Sequence, residues 1–96
     1  MEIVFRFKSE NYSKAKDILS GDDIVSRASL TFKDGAFIGK DGYYCYLSGT
    51  EEQCERAKEL VKEFTETVTE EEKILLINKI KEEENKAIEG FGGILG

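Results

Sequence analysis

Apolar residues in this chain change their spacing once, near Thr50, and that change dictates the class of fold. Before it they alternate: Ile3, Phe5 and Phe7, then Ala28, Leu30 and Phe32, then Cys45 and Leu47. An extended backbone turns successive side chains to opposite faces. A period of two therefore predicts strands with one apolar face over residues 2–8, 27–33 and 43–47. After Thr50 the spacing lengthens to three and four. Cys54, Ala57, Leu60, Val61 and Phe64 form one helical stripe, and Ile74, Ile77, Ile80, Ala87 and Ile88 a second.

The helix boundaries carry their own signals. Thr50 with Gln53, and Thr69 with Glu72, each have the spacing of a capping box, so helices are expected over 51–64 and 70–89. Glu51, Glu52 and Glu55 stand near the start of the first of these, where the helix dipole favours anions. An earlier helix is expected over 10–20 from Tyr12, Ala15, Ile18 and Leu19, with Ser9 as its cap and Gly21 as a left-handed stop. Asp34-Gly35 and Asp41-Gly42 are both hairpin signals. The intervening Ala36-Phe37-Ile38 leaves two readings open: a meander of three short strands, or one long hairpin with a bulge near Gly39–Gly42.

Together these elements predict an α+β domain of order β-α-β-β(-β)-α-α. It is expected as a two-layer sandwich with an antiparallel sheet packed on helices. The expected core comprises Phe5, Phe7, Leu19, Leu30, Phe32, Leu47, Ala57, Leu60, Val61, Phe64, Ile77 and Ile80. The 96 residues suit one domain, read as 1–96 with a glycine-rich apolar tail over 90–96. A chain this short buries only ~60–65% of its unfolded surface, so a partner or second copy that covers more apolar area adds stability.

Composition removes several functions from consideration. There is no histidine, which excludes Ser/His/Asp and Cys/His catalysis within the chain and the commonest general base near neutral pH. Two cysteines, Cys45 and Cys54, make neither a disulfide framework nor a four-ligand zinc site, and both are read as small buried residues. The runs Glu70–Glu72 and Glu82–Glu84 fan around a helix and do not converge on a metal. The glycines of the tail lack a following helix start and the spacing of a phosphate loop. No catalytic residue, metal or cofactor is expected.

No apolar run is long enough for a membrane span, and the first residues enter a strand pattern directly, so a cytoplasmic protein without a leader is expected. Absence of His, Pro and Trp beside abundant Glu and Lys fits a thermophilic source. The net charge of −6 lies wholly in the second half. Residues 1–48 carry seven basic and seven acidic side chains (7 − 7 = 0), and residues 49–96 carry seven and thirteen (7 − 13 = −6). A polyanion is repelled by that half.

Two surfaces remain as candidates. The tail residues Phe91, Ile94 and Leu95, with Ile88 on the preceding helix, have the character of a docking segment for a protein partner or a second copy of the chain. Arg6, Lys8, Arg27 and Lys33 alternate away from the apolar strand residues, as do Tyr44 and Tyr46. On one sheet face they would form a cation–tyrosine platform of the kind used for single-stranded nucleic acid.

The segment Phe5-Arg6-Phe7-Lys8-Ser9-Glu10, the stretch Ser26-Arg27-Ala28-Ser29 and the pair Arg56-Ala57 lie in the order strand-to-helix entry, strand, helix. On these residues the chain resembles, over 2–64, the small dimerising subunit of the archaeal KEOPS tRNA-modifying complex. It departs at Lys58-Glu59-Leu60, where that family usually reaches an Asn a few residues past its Arg-Ala pair, and in having the helix at 70–89 and the tail. The resemblance implies a non-catalytic subunit that dimerises and binds a catalytic partner, an RNA-associated accessory role.

Overall fold

The structure, a computed structural model, describes the backbone through Leu95 and the side chains through Asn85. It is an α+β domain. In chain order it runs β1 (Glu2–Phe7), α1 (Ser9–Gly21), β2 (Ser29–Asp34), β3 (Tyr43–Ser48), α2 (Glu51–Val61), β4 (Thr65–Glu66) and α3 (Glu70–Leu95). The strands form one antiparallel sheet in the order β2-β3-β1-β4.

Strand alternation sorts the side chains as the sequence requires. Ile3, Phe5, Phe7, Leu30, Phe32, Cys45 and Leu47 meet Ala15 and Leu19 of α1 and Cys54, Ala57 and Val61 of α2 in one apolar core. Leu60 and Phe64 are only partly buried at its rim. The opposite sheet face is covered as well, by α3. There Val4, Tyr44 and Tyr46 pack with Ile38, Leu76 and Ile80 in a second cluster. α3 thus adds a layer to the two expected.

Several local expectations are corrected. Residues 35–38 are not a third strand of a meander but a 3₁₀ turn, Gly35–Ile38, inside the long β2–β3 hairpin. The Asp34 carboxylate accepts the Ala36 N–H at 2.9 Å, and Gly39 ends the turn at φ +69°. Ile38 is thereby swung beneath α3. Gly42, at φ +78°, lies so close to β1 that an added Cβ would stand 2.7 Å from the Phe7 carbonyl oxygen. This position therefore needs glycine both for its backbone angle and for space.

α1 begins at Ser9 with Lys8 in the cap position, and no side chain caps it. Gly21 is helical rather than a left-handed stop, because Asp22 ends the helix instead. The Asp22 carboxylate accepts the N–H groups of Ile24 and Val25, each at 3.1 Å, and two bonds from the Arg56 guanidinium of α2. That arginine holds the Asp22 carboxyl below the usual range. Arg56 and Ala57, two of the residues that carry the resemblance, so have structural partners: Arg56 ties α2 to the end of α1, and Ala57 is buried in the core.

α2 opens with the full capping box, Gln53 N–H to Thr50 Oγ1 at 3.1 Å and Thr50 N–H to Gln53 Oε1 at 2.9 Å. It closes at Val61, three residues before the expected end, and the chain then adds the two-residue strand β4 to the edge of β1. α3 runs on past Glu89, through the segment read as a tail, to Leu95. Its inward stripe is Leu76, Ile77 and Ile80. Ile74, expected on that side, faces outward and is 52% exposed.

Candidate interaction surfaces

The sheet face under α3 is built from rows of paired residues. Antiparallel register sets Lys33, Tyr44, Arg6 and Glu66 side by side across β2, β3, β1 and β4, with Tyr46 one row along, opposite Val4. Four of the six residues read as a nucleic-acid platform are therefore brought together: Arg6, Lys33, Tyr44 and Tyr46. Lys8 is exposed at the start of α1, and Arg27 lies in a 3₁₀ turn before β2, paired with Asp23 at 3.8 Å. Neither joins the row.

The row is not open to a ligand in this state. Tyr44 is fully buried and Tyr46 nearly so. The Tyr44 hydroxyl donates to Glu72 Oε2 at 2.7 Å, and Arg6 approaches the same oxygen at 3.7 Å. The Arg6 guanidinium also stands 5.8 Å from the centre of the Tyr44 ring. Lys33 Nζ binds Glu83 at 2.9 Å and sits 4.7 Å over the Phe37 ring. The Tyr46 hydroxyl donates to Glu2, whose carboxylate Lys81 approaches at 4.0 Å. Arg6 is incompletely served: its Nε is buried with no acceptor.

Glu72 organises this contact. The N–H of Glu72 donates to Thr69 Oγ1 at 3.1 Å, as a capping box requires. Its carboxylate does not reach back to the cap backbone. It accepts the Thr69 hydroxyl at 3.3 Å and is otherwise turned to the sheet. The Tyr44 hydroxyl, above all, holds the Glu72 carboxyl below its usual range, and the Tyr46 hydroxyl does the same for Glu2. Burial first, and these carboxylates second, push both tyrosines up to about 12.

The second surface is the outward face of α3. Ile74 and Leu75 are 52% and 36% exposed, in a shallow apolar cleft with Glu70, Glu71 and Asn78. The sequence pattern points to the helix over 70–89 as an association element, but it places Ile74 on the inward stripe and does not single out this pair. The signal was present, because Ile74-Leu75-Leu76-Ile77 makes the first turns of α3 apolar nearly all round. The side chains of Ile88, Phe91, Ile94 and Leu95, expected to bind a partner, lie outside the described residues.

Both cysteines are buried with free thiols, and burial pushes Cys45 up to about 12, far from a reactive thiolate. Among the described residues no group of acidic or cysteine side chains is arranged to hold a metal ion, and no helix is long and apolar enough to cross a membrane. Compared with family models, with curated proteins and with solved structures, the chain has no match.

Proposed function

We propose that this chain is a non-enzymatic self-association module, using the outward face of α3 and its C-terminal continuation to meet a second copy. The observation that carries this reading is the exposed pair Ile74–Leu75 on a helix whose other face is already used. Two large aliphatic side chains beside each other in an apolar cleft gain by leaving water. Residues 79–86 carry three lysines and three glutamates, so charge neither favours nor opposes an antiparallel pairing of two α3 helices, and the apolar pair supplies the gain. The resemblance to a dimerising subunit agrees with this reading. Direct RNA contact through the sheet face is not favoured, since Glu72 and Glu83 stand on the cations that it needs.

Light scattering on the eluting protein tests the proposal, applied to the full chain, to a chain ending at Glu89, and to the double variant Ile74→Glu/Leu75→Glu. The full chain is expected at a multiple of 10.9 kDa, and the double variant at 10.9 kDa. A monomeric full chain at all workable concentrations overturns the proposal. The truncated chain separates the two parts of the surface, remaining associated if the outward face suffices.

A further inference from the structure

The inward face of α3 carries a different message. We infer that the sheet face beneath α3 is a helix-binding groove that accepts α3 of a second copy in place of its own, so that two chains exchange their C-terminal helices. This goes beyond self-association through the outward face and does not depend on it.

The first ground is that the domain has two separate cores. Among the described residues, the cluster between the sheet and α1 and α2 contains none of α3. The described part of α3 packs in the second cluster, where its own buried side chains are Leu76 and Ile80. The second ground is how that contact is made. Its apolar centre is short, and its ends are the polar contacts Glu72 with Tyr44 and Arg6, and Glu83 with Lys33. Such contacts fix the register of a helix in a groove more than they hold it there. Arg6 Nε has no partner even with α3 in place.

The third ground is the connection. β4 pairs with β1 through two residues only, Thr65 and Glu66, and residues 67–69 then lead into α3. The Thr69 cap bonds are made to Glu72 and so belong to α3 itself. α3 can therefore leave as a unit with its first turn intact. From Val61 the eight residues 62–69 reach ~26–29 Å when extended, enough to pass to an adjacent molecule once Phe64 leaves the rim of the first cluster, β4 unpairs from β1 and Val68 leaves the second cluster. The occupant is a second copy because its Glu72, Leu76, Ile80 and Glu83 meet Arg6, Tyr44, Tyr46 and Lys33 in the same spacing. Exchange of an identical element forms the same contacts between chains that it breaks within one.

Charge complementation tests this. Lys33→Glu and Glu83→Lys each place like charges across the groove, both within one chain and in any exchanged pair of identical chains. Only an exchanged pair of the two different variants restores both attractions. The variants, one of them isotope-labelled, are unfolded and refolded together at equal and high concentration in physiological salt, then weighed by native mass spectrometry. The expected result is several-fold more dimer than either variant forms alone, with the mixed dimer above its random share. The chain bearing both substitutions, whose groove is restored internally, is expected to behave as the parent does. Dimers in random proportions, or no gain in dimer over the separate variants, overturn the exchange. Outward pairing alone gives the random result, and Ile74→Glu/Leu75→Glu abolishes that pairing while leaving exchange intact. Circular dichroism of each variant verifies that the sheet and α1 and α2 are folded.

Discussion

At the scale of single residues, Glu72 and Tyr44 decide how α3 meets the sheet. A buried phenol stacked under a helix is tolerable only when its hydroxyl finds an acceptor, and Glu72 supplies one at 2.7 Å. Tyr44→Phe removes that bond and leaves the carboxylate with Arg6 and Thr69, a loss of about 1–2 kcal/mol in urea denaturation. The same pair makes stability depend on pH at both ends. An unfolded tyrosine ionises near 10, whereas burial in the fold pushes Tyr44 and Tyr46 up to about 12. The unfolded chain therefore releases these protons first. Stability is full below pH 10 and falls as the pH climbs from 10 toward about 12. At the acid end the sign reverses. Glu72 and Glu2 lie below 4.5 in the fold, so their contribution is present above 4.5 and is lost as the pH drops through their folded values. Denaturation midpoints across pH measure both limbs, and the alkaline limb is expected to be shallower in Tyr44→Phe.

At the scale of elements, α3 has one face that packs and one that does not. Leu76→Ala opens a cavity among Tyr44, Tyr46 and Ile80 and is expected to cost about 2–4 kcal/mol. Ile74→Ala, two residues away and half exposed, is expected to stay within about 0.5 kcal/mol for the isolated chain. Denaturant titration of the two variants separates the faces. The elements also show what the sequence disclosed. Strict alternation in β1 and the box at Thr50 were legible, because each is a local pattern with one physical meaning. The turn at Gly35–Ile38 was not, since Ala-Phe-Ile suits a strand equally and the choice is made by Ile38 packing under a helix forty residues on. β4 is too short to have a pattern. Tyr44 and Tyr46 read as outward-facing because tyrosine alternates like a polar residue. Only the distant carboxylates Glu72 and Glu2 let them be buried.

At the scale of the whole molecule, the sheet separates two apolar clusters of unequal kind. The one beneath α1 and α2 draws on every major strand and on two helices tied together by Arg56 and Asp22. Among the described residues, the one beneath α3 has fewer apolar side chains and is bounded by ion pairs, and the helix that closes it follows a two-residue strand. Contiguous units with few apolar contacts open at lower free energy than the global transition. The amides of α3 around Leu76–Ile80 are therefore expected to exchange with solvent through a partial opening. Those of β1, β3, α1 and α2 should exchange only through global unfolding. Hydrogen exchange in low urea measures this directly, since a local opening exposes little surface and depends weakly on denaturant. Leu76→Ala should accelerate exchange in α3 while changing β1 and β3 by less. Equal protection and equal urea dependence in α3 and β3 would show one cooperative unit, and would remove the body-and-cover division on which helix exchange between copies depends.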